Sequence, residues 1–277
     1  MDASPKNEVP KPDVFFVDHG MCTHIGQRQH NQDNTLAATA PDTLDGTGHL
    51  FAVADGMGGH PGGGLASRLA CEGLNHYYKK EFQPDVNRTQ ADIRRRLAEA
   101  IIRFDRSIRI QGLRHSFLED MGTTLSCLVL TDTHSVIAHV GDSRIYRLRK
   151  GHLSCLTVDH TFVQDMIFEG EVNPAQAHLH PLRHMLTRAV GTGEPLEFVD
   201  ARVDDLKADD CFLLCTDGLY NAVDENWIID SLANRPFAED SATELINKAL
   251  KGGARDNVTA VVVKFHRVDD LCQNVKP

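Results

Sequence analysis

Residues 122–156 read GTTLSCLVLTDTHSVIAHVGDSRIYRLRKGHLSCL. Four short runs lie in this stretch, Thr123–Leu130, Ser135–His139, Ile145–Arg149 and His152–Leu156. Each is aliphatic or alternating and is bounded by turn formers, the pattern of consecutive β-strands. Lys150-Gly151 suits the turn of a hairpin. Strands that follow one another with no helix between them argue against a regular strand–helix alternation and for antiparallel sheets.

The flanking sequence completes that picture. Residues 14–55 alternate strand-like and turn-like pieces, with a loop at Pro41–Gly48. A helix is expected from Gly62 to about Lys80, with Leu65, Leu69, Ala70 and Leu74 at helical spacing. A second is expected from Gln90 to Ile110. Thr89 with Asp92 resembles a capping box there, and Ile93, Leu97, Ile101, Phe104 and Ile108 form one apolar stripe. Arg94, Arg95 and Arg96 read most simply as a solvated face. A shorter helix at Asp159–Phe168 precedes a polar, histidine-rich stretch, 171–185, that reads as irregular. Strands then return at Glu197–Val203, Cys211–Thr216 and Val258–Phe265. Helices are expected at Glu225–Leu232 and Ser241–Lys251, the latter opened by a Ser241/Glu244 capping box and stopped by Gly252-Gly253. The expected class is α+β, with helices layered outside antiparallel sheets, in one domain over 14–266. A disordered arm (1–13) would precede it and a loose tail (267–277) would follow.

The chain has 277 residues, 41% hydrophobic and 25% charged, ordinary for a globular domain with a sizeable core. Its formal net charge of −10 argues against non-specific binding to nucleic acid or an anionic membrane. Neither a secretory leader nor an apolar run near the ~18 residues of a membrane span occurs, so a cytoplasmic protein is expected. Seven scattered cysteines, several in apolar runs, read as reduced and buried.

The chemistry lies in acids at strand ends. Asp55 follows Leu50-Phe-Ala-Val-Ala54 and opens Asp-Gly-Met-Gly-Gly59; Asp142 follows Val136–Gly141; Asp217 follows Cys211–Thr216; Asp256 precedes Asn257–Val263. Asp33 is a fifth, in Gly26-Gln-Arg-Gln-His-Asn-Gln-Asp33. Taken singly, Asp-Gly is a common turn and Asp-Ser-Arg a local ion pair. As a set they suggest carboxylates converging on one spot, which need cations or protons between them. Hard oxygen ligands suit Mg²⁺ or Mn²⁺. Two such ions about 3.5–4 Å apart activate a shared water towards phosphorus, and Arg28 is the candidate phosphate clamp. A nucleotide cradle is discounted, because the glycine stretch lacks Gly-Lys-Ser/Thr and Pro61 interrupts it. A serine hydrolase has no Gly-x-Ser-x-Gly anchor.

Seven motifs then stand in register: Arg28 with Asn31-Gln-Asp33, Val53-Ala-Asp-Gly-Met-Gly-Gly-His60, Met121-Gly-Thr-Thr124, Val140-Gly-Asp-Ser-Arg144, Leu156-Thr-Val-Asp-His160, Thr216-Asp-Gly218 and Gly253-Ala-Arg-Asp-Asn257. Over about residues 14–265 the chain resembles the metal-dependent protein serine/threonine phosphatases of the protein phosphatase 2C (PPM) type, in their compact bacterial form. The resemblance implies a four-layer αββα sandwich of two antiparallel sheets. It implies that Asp55 bridges two core ions with the Gly56 carbonyl beside it, and that Asp217 and Asp256 complete the second ion. Asp33 would act at the site directly or through water, Asp142 with Asp217 would hold a third, weaker ion, and Arg28 would hold the substrate phosphate. A bridging hydroxide would attack phosphorus in line, without a phospho-enzyme intermediate.

The same resemblance implies phosphorylated proteins as partners, a eukaryote-like Ser/Thr kinase or its substrates, and a monomer. Its departures are Gln32, where many members carry Glu, and Met57, where eukaryotic members place a proposed general-acid histidine. His60 stands close to that position, and the proton donor is left unassigned. Residues 157–185 match the mobile flap and carry His160, His178, His180 and His184; His178-x-His180 lacks a third ligand for zinc. The alternative reading is a catalytically weak phosphatase fold acting as a regulatory binding module, which loss of metal acids would mark. None of the five is lost.

Overall fold

A computed structural model describes residues 15–39, 48–57, 61–81, 89–118 and 120–267. The expected arm, most of the Pro41–Gly48 loop, His60 and the tail beyond Arg267 lie outside the described residues. In chain order the elements are β1 (Phe15–His24), β2 (Asp33–Ala38), β3 (His49–Met57), α1 (Pro61–His76, continuing as a π turn over Tyr77–Glu81), α2 (Gln90–Arg114), β4 (Gly122–Thr123), β5 (Leu125–Leu130), β6 (His134–Val140), β7 (Arg144–Arg149) and β8 (His152–Cys155). They continue as α3 (Phe162–Phe168), β9 (Asp200–Asp205), β10 (Asp210–Cys215), α4 (Asp217–Tyr220), α5 (Glu225–Asn234), α6 (Ala238–Lys251) and β11 (Val258–Arg267).

Two antiparallel sheets result, one ordered β1-β11-β10-β7-β8 and the other β2-β3-β5-β6-β9 with β4 added on β3. The four-strand run is therefore divided: β5 and β6 belong to one sheet, β7 and β8 to the other. The chain crosses between sheets at Gly141–Ser143, and Asp142 sits in that crossing.

Strand alternation explains the layers. On β3, Phe51 and Val53 face β7, β10 and β11 in a central core with Ile145, Phe212, Leu214, Val261 and Val263. The intervening Leu50, Ala52 and Ala54 face outwards onto α1 and α2, among Leu74, Leu97 and Ile101. The opposite sheet does the same with α5 and α6: Leu213, Cys215 and Val262 pack on Ile228, Leu232, Leu245 and Ile246. Buried on both faces, these strands read as unbroken apolar runs. The architecture is the αββα sandwich.

Several boundaries move, each for a tertiary reason. The α2 capping box is present, with Thr89 accepting from the Asp92 N–H and Asp92 accepting from the Thr89 N–H. The expected Ser241/Glu244 box is absent, because α6 begins three residues earlier after Phe237 and the Ser241 hydroxyl donates to the Ser231 carbonyl. Asp18 instead accepts the Ala238 N–H at the true start. Helix α3 begins at Phe162 rather than Asp159, capped by Thr161, because Asp159 and His160 are bound elsewhere. Strand β9 lies three residues later than expected, where His134–His139 pair with Asp205–Asp200.

Candidate active site

The antiparallel register brings the acids to one end of the sandwich. Asp33, first in β2, pairs directly with Asp55 on β3. Asp55 lies inside its strand rather than past its end, because Gly56 and Met57 continue the ladder against Thr123 and Gly122. The end of β10 meets the start of β11 at Cys215 and Ala260, which sets Asp217, first residue of α4, near Asp256. Thr124 connects the sheets: its Oγ1 accepts the Asp55 N–H at 2.9 Å and lies 2.6 Å from the Ser143 Oγ, next to Asp142.

A cleft of about 800 Å³ opens there, lined by Arg28, Gln32, Asp55, Gly56, Met57, Asp142, His184, Asp217, Asp256 and Asn257 among others. Six of the seven expected site residues thus share one wall. Asp33 is the exception and lies beneath it, buried. Its Oδ2 accepts from the Thr216 and Thr259 hydroxyls at 2.9 and 2.6 Å, while Oδ1 is buried with no hydrogen-bond partner. Arg28 donates to Asp256 at 2.6 Å. Asn257 gathers the loop that carries Arg28: its Oδ1 accepts the Gln32 N–H, and its Nδ2 donates to the Ile25 and His30 carbonyls.

Electrostatics single out three of these acids. Burial, then the neighbouring Asp33, Asp217, Asp142 and Asp256, push the Asp55 carboxyl well above its usual range. Burial likewise pushes Asp33 up to about 6 and, with Asp217, Asp142 up to about 7. These are the shifts of carboxylates crowded in a low dielectric.

Among the described residues, no three His, Cys, Asp or Glu side chains close into a ready coordination set. Three of the five carboxylates are turned to protein partners instead: Asp256 to Arg28, Asp217 to His184 at 3.4 Å, Asp33 to its threonines. The donor chemistry nevertheless fits hard divalent cations. It is all oxygen, it includes the unpartnered Asp33 Oδ1, and it concentrates negative charge that bound cations would offset.

Sequence reasoning missed several partners. Thr216 and Asn257 stand in two of the seven motifs, but nothing local shows what their side chains hold, and nothing marks Thr259 at all. Among the flap histidines, His184 alone lines the cleft, and its hydrogen bond with Asp217 raises its pKa. His180 uses Nδ1 to accept the Leu182 N–H.

Gly218 gives a direct test of how tightly the loops close. A Cβ there would lie 2.0 Å from the Asn257 carbonyl oxygen. Gly218→Ala is expected to cost about 1–3 kcal/mol by overpacking, lowering the thermal midpoint by roughly 2–4 °C per kcal/mol as read by calorimetry, and to displace Asp217 and Asp256 from each other. An unchanged midpoint would contradict this packing.

Comparison with known proteins agrees with the geometry. Residues 22–262 match the family model for protein phosphatase 2C. The serine/threonine protein phosphatase PstP of Mycobacterium tuberculosis is 38% identical over 235 residues, 85% of this chain, although the chain spans only 42% of that protein's length. The solved structure of that phosphatase covers 91% of this chain and 99% of its own, at TM-score 0.79 and 35% identity. The serine/threonine phosphatase stp of Listeria welshimeri is 34% identical over 250 residues, covering 90% of this chain and 94% of that one. A solved PstP catalytic domain in complex with two manganese ions covers 91% of this chain and 100% of its own, at TM-score 0.76 and 32% identity. The match across residues 22–262, with the five acids and Arg28 at one end of an αββα sandwich, means that this chain belongs to the protein phosphatase 2C family.

Proposed function

We propose that this chain is a metal-dependent protein phosphatase that hydrolyses phosphoserine and phosphothreonine in proteins phosphorylated by a Ser/Thr kinase, the kinase itself included. The observation that carries the reading is the meeting of Asp55, Asp142, Asp217 and Asp256 with Arg28 around one cleft, over the buried Asp33. Asp55 and the Gly56 carbonyl would hold two ions, with Asp217 and Asp256 completing the second and Asp33 supporting it from below. Asp142 with Asp217 would hold a third, weaker one. Mn²⁺ and Mg²⁺ both suit these oxygens, and the related catalytic domain holds manganese. When bound, the metals supply a water activated near neutral pH for attack on phosphorus.

The protein's own groups do the rest. Arg28 Nη2, now on Asp256, stands at the cleft wall with more than half of its side chain exposed, ready to take phosphate oxygens. Met57 offers no proton to the leaving oxygen. The cleft is open enough for a side chain on a protein surface, and among the described residues no helix is long and apolar enough to cross a membrane. We place the enzyme in the cytoplasm as a monomer. The binding-module alternative gains no support, since every acid is present.

The test is hydrolysis of a phosphothreonine peptide with Mn²⁺, compared with excess chelator and with Asp217→Asn. Activity confined to the wild type with metal is expected. Equal rates in all three would sink the reading.

A further inference from the structure

Two consecutive residues at the base of the flap, Asp159 and His160, grip the turn that carries Asp142 from both sides. His160 is buried and holds both backbone polar groups of Gly141: its ring Nδ1 accepts the Gly141 N–H at 3.0 Å, and its main-chain N–H donates to the Gly141 carbonyl at 2.8 Å. Gly141 has φ +106°, and a Cβ there would lie 2.6 Å from the Thr124 Cβ, so the turn admits only glycine and needs an outside hold. On the far side, Asp159 accepts three hydrogen bonds from the Arg144 guanidinium at 2.7–3.2 Å. That guanidinium lies 3.8 Å over the Tyr220 ring, and the Tyr220 hydroxyl donates to the Asp142 carbonyl at 3.1 Å.

The second nitrogen of His160 decides how the first behaves. Nε2 lies 2.8 Å from Asp200 Oδ2, and Arg188 donates to the same carboxylate. Because Nδ1 faces a backbone N–H, it must be the bare nitrogen and Nε2 must carry the proton. The groups against the ring pull both ways, Asp200 and Asp159 towards an imidazolium, burial and Arg188 towards the neutral imidazole. The partners are Asp200 from β9, Arg188 from the preceding loop, Asp159 alongside and the buried His139 of β6, its ring centroid 4.7 Å away. Burial lowers the His160 pKa despite Asp200.

We propose that His160 is a positioning residue for the hydrolysis: with its tautomer fixed by Asp200, it sets the Gly141 peptide and so the place of the Asp142 carboxylate in the cleft. The inference rests on the phosphatase reading above. It makes the flap base and the turn that carries Asp142 one mechanical unit, although His160 follows Asp142 by 18 positions in sequence.

Three measurements test it. In ¹⁵N spectra of the metal-free protein, His160 is expected to show a protonated Nε2 and a bare Nδ1; the opposite tautomer overturns the proposal whether or not the enzyme is a phosphatase. Mn²⁺ titration by calorimetry is expected to show the weakest bound ion losing about tenfold in affinity in His160→Ala, the scale on which removing a group behind a metal ligand acts. His160→Asn, whose Oδ1 can replace Nδ1 as acceptor, is expected to recover to within about threefold. Asp200→Asn, whose uncharged amide holds the Nε2 proton less firmly, is expected to weaken the same ion and raise the Mn²⁺ concentration needed for half-maximal peptide hydrolysis, with kcat at saturating metal little changed. A folded Asn variant as defective as Ala, or an Asp200→Asn enzyme with wild-type metal dependence, overturns the inference. If Ala does not fold, the spectra and Asp200→Asn decide alone. A wild type without Mn²⁺-dependent hydrolysis defeats the phosphatase reading separately.

Discussion

Asp55→Asn is expected to lower phosphopeptide hydrolysis by about 10⁴-fold or more, the scale seen when one member of a unit-acting catalytic set is removed, while leaving the fold intact. The two halves of that expectation have different causes. The backbone of Asp55 carries its structural contacts: its N–H donates to Thr124, and its carbonyl accepts from the Thr123 hydroxyl and the Thr124 N–H. None of these is altered by exchanging the carboxylate for an amide of the same shape. The side chain, by contrast, is buried among Asp33, Asp217, Asp142 and Asp256, where its charge is costly without cations. Removing that charge takes away the ligand proposed to be shared by both core ions and relieves repulsion in the metal-free chain. The variant is therefore expected to melt in chelator at or above the wild-type temperature, and to bind fewer Mn²⁺ ions by calorimetry. A variant that unfolds would make Asp55 a structural residue, and one that retains activity would remove it from the chemistry.

The residues that carry this prediction were legible because they combine a local signal with a repeated one. An apolar run buried on both faces, then an acid, then glycine, is visible without any tertiary knowledge, and five acids in comparable places imply a meeting point. What the meeting point rests on was not legible. Thr216 stands beside an Asp-Gly motif and Thr259 inside a strand, and neither shows its role until folding directs both hydroxyls onto Asp33. Asn257 reads as the start of a strand, yet its side chain pins a loop more than 200 residues away. The same limit produced the misplaced α6 start. Ser241 and Glu244 fit a capping pattern locally, but the Ser231 carbonyl offered the hydroxyl a buried partner and Arg235 took the Glu244 carboxylate. Local spacing finds elements and candidate ligands; hydrogen bonds between distant segments set their boundaries and orient the ligands.

The second large effect is the pH dependence of metal stabilisation. Asp33 and Asp142 have folded-state pKa values of about 6 and about 7 against ordinary values near 3.8, and Asp55 is also raised well above that range. Raised carboxyls mean that the metal-free folded state holds more protons than the unfolded chain between about pH 4 and 7. Their contribution to stability is then complete below pH 4 and is lost as pH rises through 6 and 7. Cations compete with those protons, so the stabilisation they bring must grow over the same window. The thermal midpoint in chelator alone would not isolate this, because buried His139, with its pKa pushed down to about 3, contributes a slope of the opposite sign. The difference between midpoints with Mn²⁺ and with chelator cancels that term. At Mn²⁺ a hundredfold above its dissociation constant the increment is about 2.7 kcal/mol, or roughly 5–10 °C for a domain of this size. It is expected in full near pH 8 and to fall towards zero near pH 5. Asp33→Asn should flatten the curve without abolishing it, since Asp55 and Asp142 still exchange protons for metal. An increment equal at pH 5 and pH 8 would show that these carboxylates are not where the metal binds.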